Sequence, residues 1–309
     1  MKGLYMRPSG SDLRLLQVFD AVVRNGGFSA AEAELNLSQS TISNHMTALE
    51  QRLGVTLCQR GRRGFRLTEQ GQRVHEAACR LESSLLDFSA DVGALRGKLA
   101  GELRLGILDA VAEDPGNRLP EALALFKSLA PEVKILIAQE RPQDLQQKIL
   151  DGTYHCGIGV SITAVEGVEE MPLHEEVHGL YCGKGHPLFQ VPDDQITSDT
   201  IRAMPFVQRG YWRKEDKQQH GPGRIEATVF QIEPQLLLIR SGAYLGFLPH
   251  HYAAKWCTAG KLRHLVPDHF GYACRFFLMT AKDARRTQVV STFLETVEKT
   301  WFLQEKERC

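Results

Sequence analysis

The chain has 309 residues, 43% of them hydrophobic and 24% charged, a globular composition that excludes a disordered chain and has room for two to three domains. Its 37 basic and 37 acidic side chains cancel, which excludes a uniformly basic coat protein. The balance is uneven, however: residues 1–100 carry 13 basic and 10 acidic side chains, so the front is positive and the remainder negative, a split that points to a nucleic-acid partner.

No apolar run reaches the roughly 18 residues of a membrane span, and the start (Lys2, then Pro8, Ser9 and Gly10) has no signal-peptide core. Seven scattered cysteines without a C-x-x-C pair fit reduced thiols. The expected setting is the cytoplasm, with no membrane partner.

In chain order, residues 13–23 give a helical stripe of Leu15, Phe19 and Val22 that Ser11 or Asp12 can cap. Asn25-Gly26-Gly27 stops it. A second helix opens at Ser29, with Glu32 at capping-box spacing, and ends near Asn36. Ser38 starts a third, whose Ile42, Met46, Leu49 and Leu53 form one apolar face. Its other face carries Gln39, Ser40, Thr41, Ser43, Asn44 and Thr47, short uncharged donors and acceptors suited to base edges and phosphates.

Two short strands then flank a Gly-bounded turn with Arg60, Arg62, Arg63 and Arg66, a hairpin tip suited to phosphates or a narrow minor groove. Three helices and a basic hairpin make a winged helix-turn-helix over residues 1–67. Thr68 with Glu69 caps a long helix over 68–99. Val74, Ala78, Leu81, Leu85, Phe88, Val92, Leu95 and Leu99 alternate at steps of four and three, a heptad seam roughly 40 Å long. So narrow a seam predicts dimerisation through Leu81, Leu85, Phe88 and Val92.

Phe28-Ser29-Ala30-Ala31, Leu37-Ser38-Gln39-Ser40-Thr41-Ile42-Ser43, Leu49-Glu50, Leu53-Gly54-Val55, Arg60 and Leu67-Thr68-Glu69-Gln70-Gly71 resemble the N-terminal signature of LysR-type transcriptional regulators. Asn44 departs from the Arg that the family often has there, and Cys58 from its usual Phe. The resemblance implies that Ser38, Gln39, Ser40, Thr41, Ser43 and Asn44 read or position DNA. Ser29, Arg60, Arg62 and Arg63 would hold phosphates.

Behind this, strands and helices alternate: strand 101–107, helix 119–129, strand 133–138, helix 143–150 and strand 156–160, then strands at 177–182, 205–208, 225–230, 245–248 and 274–280, with helices at 233–241 and 286–301. Such alternation predicts α/β layering. Gly101-x-Leu103-Arg104-Leu105-Gly106, Gly185-His186-Pro187-Leu188 and Leu248-Pro249 resemble the effector domain of the same family, itself similar to periplasmic solute-binding proteins. The fold class implied is α+β multi-domain: winged helix-turn-helix, linker helix and two-lobed α/β effector domain. Residues 101–161 with 266–303 would form one lobe and 162–265 the other, with a small-molecule effector in the cleft.

Asp109, Ala110, Gln139, Arg141 and Gln208, at strand ends, are the expected effector contacts. Where the family commonly places a hydroxyl this chain has Ala110, preceded by Asp109, and Tyr244 replaces a frequent Gly. Asp109 at a helix start would repel an anion, so a neutral, zwitterionic or amine-bearing effector is expected.

His174-Glu175-Glu176-Val177-His178 matches the H-E-x-x-H metalloprotease pattern, which needs one helical turn; as a strand its histidines lie about 13 Å apart and cannot share a zinc. His250-His251 reads as an exposed helix start without a ligand role. No catalytic residue, metal ligand set or cofactor is expected. The expected partners are operator DNA, a small-molecule effector, a second copy in a homodimer or homotetramer, and RNA polymerase. The rival reading is a solute-binding protein whose front domain serves assembly only.

Overall fold

The structure, a computed structural model, describes residues 9–59, 65–95, 99–211, 223–282 and 287–303. The chain divides after Leu86 into two compact units.

In the front unit α1 (Gly10–Arg24) packs on α3 (Gln39–Leu53), with α2 (Glu32–Leu35) between them in sequence. Val18, Phe19, Val22, Ile42, Met46, Leu49 and Leu57 are fully buried. The apolar stripe of α1 therefore centres on Val18, with Leu15 only half-buried. The cap of α1 is Ser9 rather than Ser11 or Asp12. Asp12 instead closes a capping box, accepting from the Ser9 backbone N–H at 2.7 Å. Arg52 of α3 also pairs with Asp12, and this guanidinium holds its carboxyl down at about 2.

Ser29 does not cap α2. That helix is a single turn following Ala31, and Ser29 lies in the exposed turn ahead of it. Glu32 reaches forward, accepting from the Gln39 backbone N–H at 2.5 Å at the start of α3. A one-turn helix offers little to cap, whereas α3 has a full set of orphan N–H groups.

β1 (Cys58–Gln59) and β2 (Arg66–Leu67) pair antiparallel. Arg60, Arg62 and Arg63 fall outside the described residues. Thr68 Oγ1 accepts from the Gly71 N–H at 2.8 Å and so caps α4 (Glu69–Ala94). A Cβ at Gly71 would lie 1.9 Å from the Leu57 carbonyl oxygen, so this first turn requires glycine. The helix stops at Ala94, short of the expected 99, because the chain goes over to strand at Ala100.

The rear unit is built on one seven-stranded sheet in the order β10-β6-β11-β5-β3-β4, with β9 on the other edge of β6. Here β3 is Ala100–Ile107, β4 Glu132–Gln139, β5 Cys156–Val160, β6 Val168–Gly183, β9 Gly246–Pro249, β10 Leu262–His264 and β11 Gly271–Ala281. β3 runs parallel to β4 and β5, while β11 runs antiparallel to β5 and β6. A separate parallel pair joins β7 (Pro205–Arg209) to β8 (Arg224–Val229).

One apolar core gathers α5 (Leu119–Leu129), α6 (Pro142–Leu150) and α10 (Gln288–Glu298) on the β3–β5 side, around Leu105, Phe126, Leu145, Ile158 and Phe293. Others gather α7 (Ser198–Ala203), α8 (Ile232–Arg240) and α9 (His250–Thr258) beyond, around Phe206, Phe247, Val207 and Ile239. The long strands β6 and β11 run through both regions. Strand β10 and helix α7 add to the elements read from sequence, and α9 begins at His250, where the sequence reads as a helix start.

Six cysteines are described, all as free thiols; Cys58, Cys156, Cys182 and Cys274 are buried. Among the described residues no helix is long and apolar enough to cross a membrane.

Candidate functional site

The first candidate surface is the face of α3 turned away from its core. Ser38 is the N-cap, its hydroxyl accepting from the Thr41 N–H at 3.3 Å and lying 2.9 Å from the Thr41 hydroxyl. These two side chains thus fix the helix start. Gln39, Ser40 and Asn44 are exposed along the same helix, with Ser43 half-exposed. Thr47 turns its hydroxyl back to the Ser43 carbonyl at 3.0 Å. Glu50 anchors the far end, accepting from the Leu57 N–H at 2.7 Å, so helix and hairpin are tied together. The arrangement presents short neutral donors and acceptors on a rigid helix.

Beside α1, the α4 seam is open. Leu85 is 42% exposed and Phe88 66%, far more than a monomer's apolar helix face requires. Leu81 and Leu85 line one groove with Leu13 and Leu16 of α1. Nearer the start of α4, His75 Nε2 lies 3.0 Å from an Asp20 oxygen and 3.7 Å from the Cys79 sulfur. The Asp20 carboxylate, seconded by Cys79, raises His75 to about 9.

The second candidate lies in the rear unit, where Asp109 follows β3. Its carboxylate pairs with the Arg209 guanidinium at 3.1 Å and accepts from the Ile232 N–H, the first of α8. Asp109 therefore sits at the start of a helix from the other core, and an arginine neutralises it. The bare negative charge expected at this helix start is therefore a paired one, and Asp109 alone does not fix the charge of the effector. Ala110 follows in a left-handed conformation (φ 62°), which bends the chain into the cleft.

Asp109 and Ala110 border two cavities. The larger, about 300 Å³, also takes in Gln139, Gln231, Glu233 and Tyr252. The smaller, about 30 Å³, is lined by Glu176, His178, Arg209, Tyr211 and Cys274. Arg141 sits nearby at the N-cap of α6 but pairs with Asp144 at 2.6 Å and lies 5.5 Å from the Phe230 ring centroid. Gln208 lines neither. Strand alternation on β7 turns Arg209 to the smaller cavity and puts Gln208 on the Phe206 side, its Oε1 buried without a hydrogen bond.

Arg209, next to Gln208, is the residue of β7 that lines the small cavity, and the sequence reading did not include it. It is buried, donates to Gln235 at 2.5 Å as well as to Asp109, and lies 5.7 Å from the Tyr211 ring centroid.

The H-E-x-x-H segment lies in strand β6, so the protease geometry is absent. Alternation puts His174, Glu176 and His178 on one face of it. Glu176 receives His178 at 2.6 Å and His251 at 2.9 Å, while His174 meets Asp114 at 2.5 Å. Burial would raise the Glu176 carboxyl, but the two imidazoles outweigh it and hold it at about 2. His251, read as exposed and unengaged, is thus mostly buried in this cluster. The period-two spacing of its three strand members was the available signal.

A helix-turn-helix head with a hairpin, followed by an α/β unit with a polar cleft between its cores, defines a ligand-responsive DNA-binding regulator as a class. Residues 13–72 match the bacterial regulatory helix-turn-helix protein, lysR family, and residues 96–301 match the LysR substrate binding domain. The chain belongs to the LysR family and is a DNA-binding transcriptional regulator with an effector-binding domain.

It is 40% identical to the HTH-type transcriptional activator BauR of Pseudomonas aeruginosa, over 94% of this chain and 95% of that one. The HTH-type transcriptional regulator GltR of Bacillus subtilis is 27% identical over 92% of this chain and 95% of its own. The crystal structure of CbnR, a LysR family transcriptional regulator, superposes with a TM-score of 0.67 at 22% identity, covering 94% of this chain and 99% of CbnR. Full-length CbnR has also been solved complexed with its target DNA.

Proposed function

We propose that this regulator acts in the cytoplasm as a homo-oligomer, has no enzymatic activity, and reads operator DNA with Gln39, Ser40, Ser43 and Asn44 of α3. Ser38 and Thr41 hold that helix in register, while Ser29, Arg60, Arg62 and Arg63 contact phosphates. The observation that carries this reading is the exposed α3 face: neutral hydrogen-bonding side chains fixed by an N-cap at one end and by Glu50 at the other.

The effector occupies the cleft between a lobe of residues 101–161 and 266–303 and a lobe of residues 162–265. It enters the 300 Å³ cavity at Asp109, Ala110 and Gln139 and acts on the Asp109–Arg209 pair, which links the two cores. Arg141 flanks this entrance, and Gln208 has only a supporting position behind Arg209.

Dimerisation through Leu81, Leu85, Phe88 and Val92 is supported by the exposure of Leu85, Phe88 and Val92 along α4, with Leu81 half-buried beside them. Leu81→Glu combined with Leu85→Glu should halve the sedimenting mass and abolish operator binding in a gel shift while the rear unit stays folded. An unchanged mass would reject the seam as the contact.

A further inference from the structure

Around Glu176, five metal-binding side chains converge from three separate parts of the chain. Asp114 comes from the loop after β3, Glu176 from β6 and His251 from the first turn of α9. Their donor atoms all lie within 4.8 Å of one another. A tetrahedral ion held at about 2.0–2.2 Å by carboxylate oxygen and imidazole nitrogen has its donors roughly 3.5 Å apart, so the three side chains draw together by up to about 1 Å on binding.

We propose that Asp114, Glu176 and His251 form a binding site for one divalent transition-metal ion of the zinc type, with His174 and His178 bracing the two carboxylates. The donor set of two carboxylates and an imidazole suits such an ion better than calcium or magnesium, which favour oxygen alone. Asp114 and Glu176 are buried side by side, and a divalent cation offsets both charges at once.

The bracing is built into the packing. His174 stacks on Phe276 with ring centroids 5.0 Å apart, and His178 on Tyr272 at 4.7 Å. Each fixed ring directs Nε2 at one carboxylate, the relation that orients ligands at metal centres. Gly116 donates to the other Asp114 oxygen at 2.8 Å, and a Cβ there would come within 2.7 Å of the His174 ring.

His251 already aims Nε2 at Glu176, and an ion between them replaces that hydrogen bond. Three protein ligands leave a coordination position open. Glu176 also borders the small cavity shared with Asp109 and Arg209, which puts one ligand of the site at the cleft. Occupancy would tie the loop after β3 to α9 and bias the setting of the two cores. The site rests on the cleft and not on the DNA-contact residues.

The test uses full-length protein stripped with a chelator, titrated with Zn²⁺ by calorimetry and with Co²⁺ by visible absorption. The expected result is one ion per chain, with Co²⁺ d–d bands and no thiolate charge-transfer band. Glu176→Gln and His251→Ala should each weaken binding roughly tenfold or more. Cys79→Ser should leave it unchanged.

That last variant separates the cleft from Asp20, His75 and Cys79, the other described group able to hold an ion, whose Co²⁺ complex would show the thiolate band. Circular dichroism verifies folding; if Glu176→Gln does not fold, His251→Ala decides. Absence of saturable binding, or binding lost in Cys79→Ser and retained in His251→Ala, overturns the proposal. Failure of the untreated protein to shift operator DNA would count against the proposed function instead.

Discussion

The two units build their sites in opposite ways. The front unit presents its α3 face on one helix, and the bonds at its two ends, from Glu32 to Gln39 and from Glu50 to Leu57, lie within a short stretch of chain. The rear unit assembles its site from Asp109, Asp114, Glu176, Arg209 and His251, groups brought together only by the sheet and its crossovers. Its charges are buried and mutually satisfied, whereas those of the front are mostly at the surface. A locally built site tolerates change residue by residue; a convergent one responds as a unit.

The largest effect should therefore come from the convergent side. Arg209→Met leaves Asp109 facing the cleft without its partner and removes a bond to Gln235, at a cost of about 3–5 kcal/mol. Urea denaturation should show the rear unit destabilised and the front unit unchanged. Equal stability of the rear unit in variant and parent would make the Asp109–Arg209 link dispensable.

A smaller loss is expected in the front unit, where the first turn of α4 packs directly on the backbone of Leu57. Gly71→Ala drives a methyl group against the Leu57 carbonyl and should cost about 1–3 kcal/mol, read as a lower melting temperature of the front unit alone. A neutral outcome would mean that the start of α4 can shift away from the hairpin without loss.

The smallest effect is a slope against pH. Asp20 raises His75 from 6.5 to about 9, so its contribution is fully present below about 6.5 and is lost as pH rises through about 9. Front-unit stability should decline across that window, and His75→Gln should flatten the decline. An unaltered slope would place the pH dependence in another group.

The same contrast explains what was legible in the sequence. The three helices, the cap at Ser38 and the heptad spacing on α4 are local patterns, and the structure places them within a few residues of where periodicity does. The errors in this unit are local too: Ser9 rather than Ser11 caps α1, and α2 is too short to use Ser29.

In the rear unit the strands were legible, but not which side chains their ends bring together. Asp109 was found from the loop after β3, while its partner Arg209 lies 100 residues on and cannot be inferred from spacing. Gln208 and Arg209 are adjacent on a strand and therefore face opposite sides, a distinction that spacing alone does not resolve. His174, Glu176 and His178 were noticed only as a helical metal motif, and the strand that excludes it gathers them on one face.

The central claim, that α3 reads operator bases, is tested most directly by selecting DNA from a random pool with the full-length protein and sequencing what it retains. The account predicts two symmetry-related half-sites for the parent protein. Gln39→Ala or Ser43→Ala should relax base preference at matching positions within each half while the spacing stays fixed. Retained sequences indistinguishable from the starting pool, or preferences identical in parent and variants, would contradict it.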